Sequence, residues 1–170
     1  SLVSGNGEQS SGAILLETGF SGATTGQVQL QTGSSRDETS GNIELRSGAS
    51  ESSSGSVTLS AGDSAAGVGG AISLTAGTSS HGDGGDVSVR AGHSIEEGRG
   101  GKLSVRSGHG ELGSGDVHLS SGESTRGSSG SVTLVTGTAE SGSGPVIVSA
   151  GRAAHGGAFV ATSGESTIGD

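Results

Sequence analysis

The octet at residues 55–62 recurs along the whole chain, and it restricts the possible folds more than any other feature. It begins and ends with Gly, and between them Val57, Leu59 and Ala61 alternate with Ser and Thr. An alternation of period two predicts an extended segment with one apolar face and one polar face. Similar octets lie at 26–33, 70–77 and 130–137. The chain is therefore a tandem array, and its function has to be inferred from the array.

The glycines that close the octets set a period of 13 to 16 residues. They are Gly5, Gly19, Gly33, Gly48, Gly62, Gly77, Gly92, Gly108, Gly122, Gly137, Gly151 and Gly164. This period is too short for a pair of helices and fits one coil of a β-solenoid, with coils stacked about 4.8 Å apart. We therefore predict an all-β fold, a thin flattened β-solenoid of about eleven coils of 14–15 residues, in one array over residues 1–170.

Two aliphatic columns are predicted to form the core of this solenoid. The first contains Ile14, Val28, Ile43, Val57, Ile72, Val87, Leu103, Val117, Val132, Val146 and Phe159. The second contains Leu16, Leu30, Leu45, Leu59, Leu74, Val89, Val105, Leu119, Leu134, Val148 and Ala161. A third column is always Thr, Ser or Ala. The five to eight residues between octets carry a small residue in second place, as in Ser64 and Ser79, which predicts a second wall close to the first.

The composition alone would suggest disorder, because 37 of the 170 residues are Gly and only two are aromatic. The fixed offsets of Val and Leu argue against disorder. The chain has no Cys, which excludes a disulfide framework. It also has no Met, so we expect it to be a processed form or a segment of a longer protein.

The octet pattern Gly-x-Φ-x-Φ-x-[Ser/Thr/Ala]-Gly, where Φ is aliphatic, resembles the Gly/Ser-rich tandem repeats of large secreted or surface-exposed β-solenoid proteins of algae, protists and bacteria. The resemblance covers essentially all 170 residues. It implies a structural fibre, stalk or adhesive arm outside the cell. It implies no catalytic residues and no cofactor.

The repeat pattern gives little support for the binding of calcium or other metals. A calcium-binding β-roll repeats a carboxylate on successive coils, whereas Asp86 and Asp116 share a column without lying on adjacent coils. His93 and His109 follow closing glycines on successive repeats, but two histidines without a third ligand make a weak metal site. No Ser, His and Asp set has a cleft in which to act, so we predict no enzyme activity.

Ice binding is an alternative function, because thin solenoids with flat ladders of hydroxyl groups bind ice. Thr58 and Ser60 suit such a ladder on the polar face of their octet, and so do Ser73 and Thr75 in the next one. The neighbouring repeats place Glu44 and Arg46, or Ser88 and Arg90, in the same positions. These charges interrupt the hydroxyl ladder, so ice or surface binding ranks second.

The net charge of −9 argues against nucleic acid and anionic membranes as partners. No apolar run approaches the roughly 18 residues needed to span a bilayer. Four acids and four bases lie within the octets and cancel, which leaves thirteen acids and four bases in the loops and the tail. Abundant Ser and Thr could carry O-glycans, but no Asn-x-Ser/Thr site for an N-glycan exists.

The ends of the array predict self-association. Apolar residues replace polar ones on the outer face near both ends, and two Phe lie there as well; the candidate interface is Leu15, Phe20, Ile147, Phe159 and Val160. Neither the start at Ser1 nor the tail after Gly164 shows a clear capping element. We therefore predict a non-enzymatic structural unit of an extracellular fibre, filament or appendage, assembled by head-to-tail and lateral contacts between copies or neighbouring repeats.

Overall fold

The computed structural model describes residues 2–165, and the predicted β-solenoid is not present there. These residues contain neither a helix nor a strand, and no sheet joins one repeat to the next. The prediction of an all-β fold is therefore wrong. The chain divides into two units, Ser1–Val87 and Ser88–Asp170, and each is built from the same alternation of straight segments and closed loops. The tail over 166–170, which we predicted to begin another repeat, lies outside the described residues.

The octets are extended, although they are not paired into a sheet. Sharp bends of the backbone occur only between octets, for example at 65–67 and 80–82 in the first unit and at 95–98 and 125–127 in the second. Side chains two residues apart meet, as expected on one face of an extended chain. Gln27 donates to Gln29, which donates to Gln31, and Arg46 Nη2 lies 3.4 Å from Glu44 Oε2.

Most of the linking segments among residues 2–165 return close to the point where they began, and four of them are closed by a backbone hydrogen bond, whereas Gly144 makes no such approach. In the first unit the Gly70 amide donates to the Gly62 carbonyl over 2.9 Å, and Gly85 donates to Gly77 over the same distance. In the second unit equivalent bonds join 101 to 92 at 2.8 Å and 115 to 108 at 3.1 Å. Compact loops of 6–16 residues with adjacent ends are Ω-loops. The repeat is therefore an extended octet followed by an Ω-loop.

This closure is the geometric reason that no solenoid forms. An extended octet separates its two glycines by about 23 Å, and a solenoid coil would carry Gly70 back beside Gly55, at the start of the preceding octet. Gly70 instead lies against Ala61 and Gly62, at the end of that octet. Closing a loop of about eight residues costs less chain entropy than bringing together positions a full repeat apart. Because each repeat offers only two large aliphatic side chains, the local closure prevails.

The chain approaches itself at most opening glycines, and the approach is tighter than an ordinary contact at Gly70 and Gly101. A Cβ placed on Gly70 would lie 3.0 Å from the Cβ of Ala61, and one on Gly85 would lie 3.5 Å from the Cβ of Ala76. Corresponding contacts, all within 4 Å, occur at Gly12, Gly26, Gly41, Gly55, Gly101, Gly115, Gly130 and Gly157. The sequence predicts that the corner glycines either adopt positive φ or allow close approach of the backbone; among the described glycines only Gly5 and Gly142 have positive φ, and close approach is the commoner case.

Serine hydroxyl groups shape the loops from inside. The Oγ of Ser64 accepts the amide of Gly67 at 2.9 Å, and the Oγ of Ser79 accepts that of Gly82 at 2.9 Å. Equivalent bonds to Ser21, Ser35, Ser50 and Ser124 span 3.0–3.2 Å. We predicted that the small size of these residues would let the second wall of the solenoid lie close to the first. The structure gives the hydroxyl a different role, because it satisfies a backbone amide that the loop leaves without a partner.

Candidate functional site

The most regular exposed feature is the apolar pair of each octet, defined as its residues from the first and second aliphatic columns. The structure buries none of these side chains within the described residues; Ile72 is 51% exposed and Leu74 is 72% exposed. The aliphatic columns were predicted to be a core, and that prediction is wrong. Folding into closed loops brings no second layer over the octets, so the apolar pairs face solvent.

In four octets the small third-column residue is less exposed than the apolar pair. Thr32, Ala61, Ala76 and Ala91 are half-buried, and each lies beside the opening glycine of the following octet. Loop closure therefore shields the small residue and leaves the large ones in water. The sequence signal for this arrangement is the regular placing of a residue no larger than Thr immediately before each closing glycine.

The residues predicted as an interface are all strongly exposed. Leu15 and Phe20 belong to the first unit, and Phe20 is almost fully in solvent at 99%. Ile147, Phe159 and Val160 belong to the second unit and are exposed as well. Leu15 is more exposed than its neighbours Ile14 and Leu16, as expected for the opposite face of an extended segment. Exposure alone does not separate these five residues from the apolar pairs.

The charged side chains are dispersed rather than gathered into a site. Glu44 and Arg46 form the one ion pair found between described residues, and both side chains are largely exposed. A pair of this kind contributes little to stability because water and salt screen it. The pair occupies the polar face of its octet.

Other kinds of site are not formed by residues 2–165. No pocket opens among them, and no three of their His, Asp and Glu side chains come together as metal ligands. His93 and His109 follow closing glycines on successive repeats, and stacked coils, which could have brought them together, are not present among these residues. The described residues also include no helix long and apolar enough to cross a bilayer.

Two features of the loops were not predicted from the sequence. One is the contact of each opening glycine with the preceding octet, as between Gly70 and Ala61. The other is the hydrogen bond from a loop amide to the second-place serine, as in Ser79. The signal for the second was available, because Ser fills that place far more often than Gly or Ala, which are equally small.

Comparison with known proteins adds no family assignment. No family model, no curated protein and no solved structure matches the sequence.

Proposed function

We propose that this chain is a non-enzymatic structural unit of an extracellular fibre, filament or appendage, and that it associates with further copies through its apolar pairs. The observation that carries the proposal is the exposure of those pairs in phase with the repeat. Contiguous apolar surface in water favours association, because burying it releases ordered solvent. Here the exposed apolar residues recur in the octets of both units.

A second copy of the same chain is the occupant that fits this surface best. Successive closing glycines are separated by 14, 14, 15, 14, 15, 15, 16, 14, 15, 14 and 13 residues. A partner with a strictly regular repeat would lose register along this series. A parallel copy reproduces every step, so all apolar pairs meet at once. Such contacts also allow addition of further copies on either side, which favours a fibre over a closed oligomer.

The charge of the chain opposes this association and makes it depend on conditions. Each copy carries −9, and most of that charge lies in the loops and the tail, while the octets are neutral. Contact through the octets therefore keeps the acidic loops at the periphery, where salt screens their mutual repulsion. The same arrangement leaves the loop serines available for O-glycans, which we include in the proposal as secondary partners.

The fibre function ranks above ice binding for a structural reason. Ice recognition requires a flat ladder of hydroxyl groups held at fixed spacing, and stacked coils were the expected source of that spacing. The octets are not stacked within either unit, and the ion pair of Glu44 with Arg46 occupies the face in question.

The proposal is tested by sedimentation velocity and electron microscopy of the chain at rising concentration. We expect the wild-type chain to form elongated assemblies. Replacing Leu59 and Leu74 by Asp should suppress them, because charge enters two adjacent apolar pairs. The matched control replaces Thr58 and Ser73 by Asp, which adds equal charge on the opposite face. A wild-type chain that stays monomeric at high concentration would refute the proposal, and so would equal suppression by both double variants.

A further inference from the structure

We infer a mechanical function for the closed loops: each loop stores a length of chain that tension releases and that the chain takes up again when tension falls. The inference rests on the proposed structural role, since only a chain held in an assembly experiences tension along its length. It concerns a different part of the repeat, however. Association uses the octets, whereas stored length resides in the loops between them.

The ends of the closed loops meet through a small contact. Between Gly77 and Gly85 this contact is one backbone hydrogen bond of 2.9 Å, next to the half-buried Ala76. The loop between Gly92 and Gly101 is closed in the same way at 2.8 Å. No apolar side chain is buried inside the described loops, so little besides this contact resists their opening.

Opening a closed loop lengthens the chain considerably. Gly85 follows Gly77 by eight positions, and a fully extended chain of eight residue steps spans about 27 Å. A hydrogen-bonded pair holds the two Cα atoms about 5.5 Å apart. Opening one loop therefore lengthens the chain by about 20 Å. The adjoining octets are already extended and can lengthen little under tension. The loops therefore open first.

A loop that tension has opened should close again quickly when the tension falls. Loops of about ten residues close within roughly 10–100 ns when nothing holds them apart. Ser79 favours the bent conformation through its hydrogen bond with Gly82, which lies wholly inside the loop. Release and uptake should therefore follow the same path, with no loss between pulling and relaxing.

The test measures extension against force on single full-length chains with two loops that can be locked. Ala76→Cys with Gly85→Cys places Cβ atoms 3.5 Å apart, and Ser107→Cys with Gly115→Cys places them 3.6 Å apart. Disulfides need Cβ atoms about 3.5–4.5 Å apart, and the natural chain has no Cys to compete. The oxidised and reduced forms of this one protein are then matched in every other respect.

We expect the two forms to have equal length at the lowest force, because the loops are closed in both. As force rises, the reduced form should become longer by about 20 Å for each locked loop, and its pulling and relaxing curves should coincide. A reduced form that is already longer at the lowest force would overturn the inference. Failure of the cysteines to oxidise under mild conditions would overturn it too, because the loop ends would then not meet.

The outcome separates this inference from the proposed structural role. A chain that releases its loops but never assembles contradicts the structural role alone. A chain that assembles, but whose oxidised and reduced forms differ from the lowest force upward, contradicts the stored length alone.

Discussion

The closure of the loop between Gly62 and Gly70 predicts opposite effects for one chemical change at its two ends. At Gly70 a Cβ would lie 3.0 Å from the Cβ of Ala61 and 3.3 Å from the amide nitrogen and carbonyl oxygen of Gly62. Because these distances are tighter than ordinary contacts and two of them involve backbone atoms, we expect the branched side chain of Gly70→Val to push the chain ends apart. At Gly62 a Cβ would meet no atom within 4 Å, and φ is not positive, so Gly62→Val is the matched control.

The expected magnitude follows from the contact that is lost. Separation breaks the hydrogen bond of 2.9 Å between the two glycines, and such a bond contributes about 1 kcal/mol net. This corresponds to a roughly fivefold loss in the ratio of closed to open loops. An open loop of eight residues has an end-to-end distance of about 16 Å, against about 5.5 Å when closed. The mean distance between the ends should therefore rise by up to about 10 Å.

Spin labels on Ser60→Cys and Ala71→Cys, which flank the loop, would measure this change as a distribution of distances. We expect a narrow short distance in the otherwise wild-type chain, a similar one with Gly62→Val, and a longer, broader one with Gly70→Val. A long, broad distribution in the wild-type background, or equal effects of the two valines, would refute the reasoning from close approach.

Three further predictions concern the loops, the apolar pairs and the charge. Ser79→Ala removes the acceptor of the Gly82 amide and should speed hydrogen exchange at that amide by a few fold, whereas Ser80→Ala should not; an unchanged rate at Gly82 would contradict the role given to the hydroxyl group. Leu74→Asp should leave the circular dichroism of the dilute chain nearly unchanged, because this side chain is already exposed; a large change in the spectrum would mean that Leu74 is part of a buried core. Assembly should strengthen in 0.5 M salt and as the pH falls toward the isoelectric point of about 4.8, because repulsion between like-charged copies weakens. Light scattering measures this assembly, and a decrease in scattering under both conditions would contradict association through neutral octets.

The local part of the structure could be predicted from the sequence. The alternation in 26–33 predicts an extended segment, and the contacts of Gln27, Gln29 and Gln31 along one face agree with it. The position of the bends was also predictable, since every bend lies between a closing glycine and the next opening glycine. These features depend on neighbours in the sequence, and a pattern of period two or a run of Gly and Ser reports them directly.

The contacts between repeats could not be predicted in the same way. A solenoid and a series of closed loops need the same octets and the same glycines, and they differ in whether Gly70 lies beside Gly55 or beside Gly62. The choice depends on whether closing a short loop or stacking two aliphatic side chains per repeat lowers the free energy more. The spacing of residues in the sequence does not reveal this difference. The candidate interface at Leu15 and Phe20 stays a prediction for the same reason, because periodicity does not reveal what covers an exposed residue.

The measurement that tests this account most directly is the choice of disulfide partner by a cysteine at position 76. In a chain carrying Ala61→Cys, Ala76→Cys and Gly85→Cys, cleavage before Asp63 and Asp83 places the three cysteines in separate peptides, so mass spectrometry identifies each pair. The closed loop predicts a bond between positions 76 and 85, whose Cβ atoms lie 3.5 Å apart. A predominant bond between positions 61 and 76, which stacked coils would bring to about 4.8 Å, would contradict it.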